Sequence, residues 1–214
     1  NMWHLFDFYL QTGGSYFGVK KAASRPLHLA FSYDRDATLS GGTISVVNSR
    51  YVQADGAGLS AEATQFDLAG SHLRTQTLPL GDVAADSARS LFSLVPAKNS
   101  SSSTILLRLR LAGRPECDDN WYWLPSTPDK FEMGGCFTGC VIDQFANMQD
   151  IGKMPVAPQL TVTVGKAVAV GGHLMQRLVT VRAGAAALDG GKLAFFVRLR
   201  ALDTHGNDVL PSTW

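Results

Sequence analysis

The sequence predicts a mainly β protein, built of antiparallel sandwiches and entered through a short helical segment. Three observations support that fold class. From Pro26 onward apolar and polar residues alternate in short runs, the period-two signature of half-buried strands. Turn residues separate the runs, and glycine alone supplies 21 of the 214 residues. Ahead of them, residues 3–23 depart from that rhythm, with apolar side chains at mixed spacings.

Trp3, Phe6, Phe8 and Tyr9 collect on no single narrow face, which predicts a segment buried nearly all round. Gly13-Gly14 interrupts it. Ser15 reads as the N-cap of a short helix over residues 16–23, with Lys20 and Lys21 near the C-terminal end, where the helix dipole favours cations. Pro26 stops that helix and keeps the backbone before it extended. Leu27, Leu29 and Phe31 then alternate with His28, Ala30 and Ser32 in a first strand. Gly41-Gly42 precedes a second, over residues 43–47, that ends at Asn48. Further strands are expected over residues 60–67, 72–78, 87–95 and 104–111, and residues 120–124 complete a set of seven. In the sixth, Ile105, Leu107, Leu109 and Leu111 share one face, while Arg108 and Arg110 take the other and read as the solvated side of a sheet. In the seventh, Trp121 and Trp123 share one face and Tyr122 the other, so one side packs into the core. Aromatic faces also stack on pyranose rings. Trp121 and Trp123 are therefore candidate ligand residues, against the plainer reading of core or domain-interface packing.

Residues 134–153 are glycine-rich and lack a sustained period, so they read as a linker. Beyond it residues 159–164, 178–182 and 192–202 alternate, the last with Leu193, Phe195, Val197 and Leu199 on one face. Residues 204–207 form a turn and 209–214 begin a further element. The expected organisation is an entry segment over 1–25, a sandwich over 26–132, a linker over 133–154 and a second sandwich over 155–214. The second has too few strands to cover its sheet and reads as cut short.

A hydrophobic content of 45%, a charged content of 17% and a net charge of +1 describe a globular chain without a nucleic-acid footprint. No apolar run reaches the roughly 18 residues of a membrane span, and no secretory leader opens the chain. It begins at Asn1, which suggests a fragment or a processed chain. Cys117, Cys136 and Cys140 cluster together, but no fourth ligand or nearby histidine accompanies them, so a local disulfide or free thiols are weighed ahead of a metal. The sequon Asn99-Ser100-Ser101 would accept a glycan if the protein were secreted or lysosomal.

Catalytic signatures are not legible. A glycosidase needs two carboxyl groups flanking the scissile bond, one protonated and one ionised. Here Asp34, Asp36, Asp118, Asp119, Asp203 and Asp208 fall in or beside turns, where aspartate bonds local backbone, and Asp7 stands alone among aromatics. There is no G-x-S-x-G elbow, and the glycine doublets match no phosphate loop, so no cofactor is expected.

The order of residues in five segments nevertheless resembles one family. Residues 3–22, WHLFDFYLQTGGSYFGVKKA, are followed at once by PLHLAFSYD over 26–34. NWYWLPSTPD follows over 120–129, and LAFFVRLRAL with VLPSTW over 193–202 and 209–214. Together they resemble the C-terminal region of glycoside hydrolase family 2, in the branch of exo-β-D-glucosaminidases, β-mannosidases and mannosylglycoprotein endo-β-mannosidases. The resemblance implies that residues 1–25 hold the last helix of a catalytic (β/α)8 barrel, followed by immunoglobulin-like sandwiches. Both catalytic glutamates would then precede Asn1, so this chain alone would be inactive. It further implies a place for Trp3 and His4 near the pocket rim, Trp3 being the better candidate for a sugar contact. The implied partners are the missing barrel and, for the unfinished last sandwich, another copy or a neighbouring chain. A stand-alone carbohydrate-binding or adhesion module is the alternative.

Overall fold

A computed structural model describes residues 5–33, 41–98, 102–113, 119–132, 141–154, 160–172, 174–183, 197 and 199–209. Its entry is one helix, α1 (Gly14–Ser24). Gly13 takes the N-cap position without a side-chain bond, so Ser15 lies inside the first turn and not at the cap. Lys21 occupies the last turn, and Arg25 is extended at φ −115° and ψ 107°, as its neighbour Pro26 demands. The expectation of a segment buried all round fails before α1. Phe8 is 92% exposed and Tyr9 70%, because Phe6 pairs with Thr12 and turns the intervening residues outward at a loop tip. Asp7 holds that tip, its Oδ1 accepting from the Tyr9 and Gln11 amides at 2.8 and 2.9 Å.

Seven strands follow: β1 (Leu27–Tyr33), β2 (Gly42–Asn48), β3 (Ser60–Phe66), β4 (His72–Pro79), β5 (Ser87–Leu94), β6 (Thr104–Ala112) and β7 (Asp119–Pro125). They form two antiparallel sheets, ordered β1-β2-β5 and β4-β3-β6-β7. Strand β4 joins the sheet of β3 because residues 67–71 close a tight hairpin. Its turn is fixed by Asp67, whose Oδ1 accepts the Ser71 amide at 2.8 Å, and by Gly70 at φ 90°. The chain crosses to the other sheet only after Pro79, with Leu80 and Val83 dropping into the core. The result is a three-plus-four immunoglobulin-like sandwich.

The core lies between the sheets. Leu29, Phe31, Ile44, Val46 and Leu94 come from one side, and Ala61, Ala63, Leu107, Leu109, Leu111 and Leu124 from the other. Each fully buried leucine or isoleucine contributes about 1.5–3 kcal/mol. Strand β1 has an open edge opposite β2, and β7 caps it: Phe31 N donates to Tyr122 Oη at 3.2 Å, and Asn120 Nδ2 donates to Leu29 O at 2.9 Å.

After β7 the chain forms a short pair, β8 (Lys130–Glu132) with β9 (Val141–Gln144), and a 3-10 turn at Gln149–Lys153. The described part of the segment read as a linker is thus ordered structure, tied down by polar side chains that periodicity does not detect. Next come β10 (Leu160–Val164), β11 (Val168–Gly171), β12 (Leu174–Gln176) and β13 (Val179–Ala183). Strands β10 and β13 pair, placing Leu160, Val162 and Val164 opposite Ala183, Val181 and Val179 on one apolar face. The β11–β12 pair was not legible, because Val168, Ala169 and Val170 do not alternate; it is made by Gly171 and Gly172, both at positive φ. Most of the strand expected over 192–202 lies outside the described residues. The turn expected beyond it is present, Asp203 Oδ1 accepting the His205 and Asn207 amides at 2.8 and 2.9 Å.

Candidate functional site: the outer aromatic face

Register and alternation place three rows of side chains on the outer face of the four-stranded sheet. One row runs Thr75, Thr64, Arg108, Trp121; the next His72, Phe66, Leu106, Trp123; the third Thr77, Glu62, Arg110, Asp119. Tyr122 points the other way and packs against the core. The two tryptophans therefore belong to the outer face, and the core side of β7 is Tyr122 and Leu124.

Arg108 organises the middle of this face. Its Nε donates to Asp119 Oδ2 at 2.8 Å, and a second guanidinium nitrogen lies 2.6 Å from the same oxygen. So held, the guanidinium carbon sits 5.9 Å from the Trp121 ring centre, within cation–π range. Trp121 in turn tilts 32° against Phe66 at 5.8 Å, and Phe66 meets His72 edge-on at 6.2 Å. His72 Nε2 lies 2.8 Å from Thr75 Oγ1, which donates to Thr64 Oγ1 at 3.2 Å. Arg108 is thus half-buried and paired, which corrects the expectation of a merely solvated side chain. Leu106, the register partner of Trp123, is fully buried, and Trp123 is 39% exposed. Desolvation, and after it the neighbouring Tyr122, raises the Tyr33 phenol above its ordinary value; that phenol donates to Trp123 O at 3.2 Å. Chemically the face offers indole surface edged by a fixed guanidinium and by hydroxyls. That combination suits the apolar face and hydroxyl rim of a pyranose, and equally a protein surface of mixed character.

Trp3, His4 and the sequon at Asn99 lie outside the described residues, as do Cys117, Cys136 and Cys140. Among the described residues no cluster of histidine, cysteine and carboxylate side chains could hold a metal. Several described carboxylates are engaged locally: Asp7, Asp67 and Asp203 in turns, Asp119 on Arg108, and Asp208 on Arg200 at 2.8 and 2.9 Å. Sequence reasoning missed the Arg108–Asp119 pair because it placed Asp119 in or beside a turn ahead of the seventh strand; Asp119 is instead the first residue of β7, and register brings it beside Arg108.

No protein-family model matches the chain. Curated proteins do. An exo-β-D-glucosaminidase of Streptomyces avermitilis is 33% identical over 220 residues, which cover 99% of this chain and 22% of that protein. Its namesake from Amycolatopsis orientalis is 28% identical, over 99% of this chain and 20% of its own length. The crystal structure of the exo-chitosanase CsxA from Amycolatopsis orientalis superposes with a TM-score of 0.80 at 28% identity, covering 98% of this chain and 23% of that one. The chain is homologous to the exo-β-D-glucosaminidases of glycoside hydrolase family 2. It corresponds to one part of those enzymes, about a fifth of the length of the curated relatives it matches. The family resemblance read from the five sequence segments therefore holds, and so does the mainly β, sandwich-built fold class.

Proposed function

We propose that this chain is the non-catalytic, accessory part of a family 2 glycosidase that hydrolyses β-linked glucosamine, with β-linked mannose as the less supported substrate. The observation that carries the proposal is the alignment of nearly the whole chain with exo-β-D-glucosaminidases from two bacterial genera. In this reading α1 is the last helix of the catalytic barrel, residues 26–132 are one sandwich domain and 155–214 belong to a second. The sandwiches buttress a barrel that carries the acid and the nucleophile. The exposed Phe8 and Tyr9 fit this role, since they sit on the barrel side of α1 in chain order and lack a cover in the described residues. The isolated chain is expected to show no hydrolysis of p-nitrophenyl β-D-glucosaminide, while the polypeptide that also carries the barrel turns it over. Steady turnover by the chain alone, at constant specific activity through purification, would sink the reading.

A second role rests on the outer face. Its indole surface beside a fixed guanidinium supports a sugar-binding function for Trp121 and Trp123, either within the glycosidase or in a stand-alone carbohydrate-binding module. Titration with chitosan and mannan oligosaccharides tests it. Saturable binding lost in Trp123→Ala with an unchanged circular dichroism spectrum supports the role, and a flat titration of the parent chain excludes it.

A further inference from the structure

Residues 144–153 join the sandwich to the strands beyond it, and their composition suggests slack. The structure shows the reverse. Strand β6 begins at Thr104 and β7 ends at Pro125, which are register partners, so both lie at one end of the four-stranded sheet. The connector crosses that end and is bonded at nearly every step. Gln144 Nε2 donates to Pro128 O at 2.9 Å, Ala146 N to Asp129 Oδ1 at 2.7 Å, and Asn147 N to Thr127 O at 3.1 Å. The fully buried Thr104 donates through Oγ1 to Asn147 O at 3.3 Å, with Met148 Sδ 4.0 Å away.

Asp150 makes the last and strongest attachment. Its Oδ2 accepts both the backbone amide and the hydroxyl of Ser103, at 2.8 and 2.7 Å, and its Oδ1 accepts from Lys153 Nζ at 3.0 Å. Ser103 O itself accepts the Ser126 amide at 2.7 Å, so the carboxylate grips a residue already fixed to the chain leaving β7. Hydrogen bonds to an ionised acceptor are roughly twice as strong as neutral ones. The main chain within the 3-10 turn adds Ile151 N to Met148 O and Met154 N to Ile151 O, at 3.1 and 3.2 Å.

We propose that residues 144–153 form a strap latched by Asp150 onto Ser103, which holds the connector rigidly against the end of the sandwich and gives the chain beyond it a fixed point of departure. The segment then transmits position between the two β regions and does not act as a flexible hinge. Opening is a local event, separable from unfolding of the sandwich.

The test is hydrogen exchange with mass spectrometry on the full-length polypeptide, together with tryptic cleavage after Lys153. In the parent protein the amides of residues 146–154 are expected to be protected and the Lys153 cut slow. Asp150→Ala is expected to raise both rates at least tenfold while peptides from β2, β3 and β6 keep their protection. Should Asp150→Ala fail to fold, Ser103→Ala decides: it removes one of the two bonds to Oδ2, and a smaller rise confined to 146–154 supports the latch. Equal rates in parent and variant overturn the proposal. So does a parent strap that exchanges like free peptide, or a rise shared equally by the sandwich strands.

Discussion

Replacing Asn48 by alanine removes a single side chain that ties three segments together. Asn48 is wholly buried at the end of β2. Its Nδ2 donates to Val52 O at 3.0 Å and Ala84 O at 2.9 Å, with Val83 O at 3.3 Å, and its Oδ1 accepts the Arg50 amide at 3.1 Å. Two of those carbonyls keep another partner in the variant: Val83 O accepts the Ala54 amide at 2.8 Å and Ala84 O accepts Ser87 Oγ at 2.7 Å. The loss is therefore nearer two net hydrogen bonds, at about 0.5–1.5 kcal/mol each, plus the void left by the amide, for a sum of about 2–3 kcal/mol. For a sandwich of this size that lowers Tm by on the order of 10–20 °C. Urea unfolding followed by tryptophan fluorescence measures it, with the m-value unchanged. Asn48→Asp sharpens the test, because a carboxylate of the same shape would face three carbonyl oxygens. Burial among them raises its pKa, so this variant is expected to be less stable than Asn48→Ala at pH 7 and to recover as pH falls. A loss under about 0.5 kcal/mol for Asn48→Ala, the ordinary range for a surface substitution, would refute the reasoning.

Three further outcomes follow from particular contacts. A Cβ at Gly56 would overlap the Gly81 carbonyl, a backbone atom unable to step aside, so Gly56→Ala is expected to lose about 3 kcal/mol in the same unfolding assay. The Arg108–Asp119 pair is about a third exposed on each side, so a double-mutant cycle with Arg108→Ala and Asp119→Ala should give a coupling of only about 0.5–1 kcal/mol, diminishing in high salt. The Ser103 amide, then the Ser103 hydroxyl, then Lys153 hold the Asp150 carboxyl well below the usual carboxylate range. Its folded pKa is lowered, so its contribution is complete above the unfolded value of about 3.9 and is lost as pH falls towards the folded one. Strap protection measured between pH 7 and about pH 5 should therefore stay constant and fall only below that, and weakening within that window would contradict the assignment.

Much of the sandwich was legible because strand alternation is a local signal. Leu107, Leu109 and Leu111 on β6 announce their shared face without reference to any other residue. The loop tip at Phe8 and Tyr9 was misread for the opposite reason. Aromatic character predicts burial, but burial requires a neighbour, and the turn held by Asp7 points these rings away from the described chain. The strap was missed because its bonds to the sandwich join residues 16 to 47 positions apart, from Gln144 with Pro128 to Ser103 with Asp150, and no composition or period records such pairs.

For the outer face the division is the same. The sequence by itself determined that Trp121 and Trp123 share a side of β7 and that Arg108 and Arg110 share a side of β6, since successive side chains in a strand must alternate. Its residue order also carried the resemblance to the exo-β-D-glucosaminidases. The tertiary structure alone decided that these two sides are one surface, that Asp119 aims Arg108 over Trp121, and that Tyr122 faces inward to cap β1. Those outcomes depend on register between strands, which is set by the packed core and the closing turns and not by any one strand's own pattern.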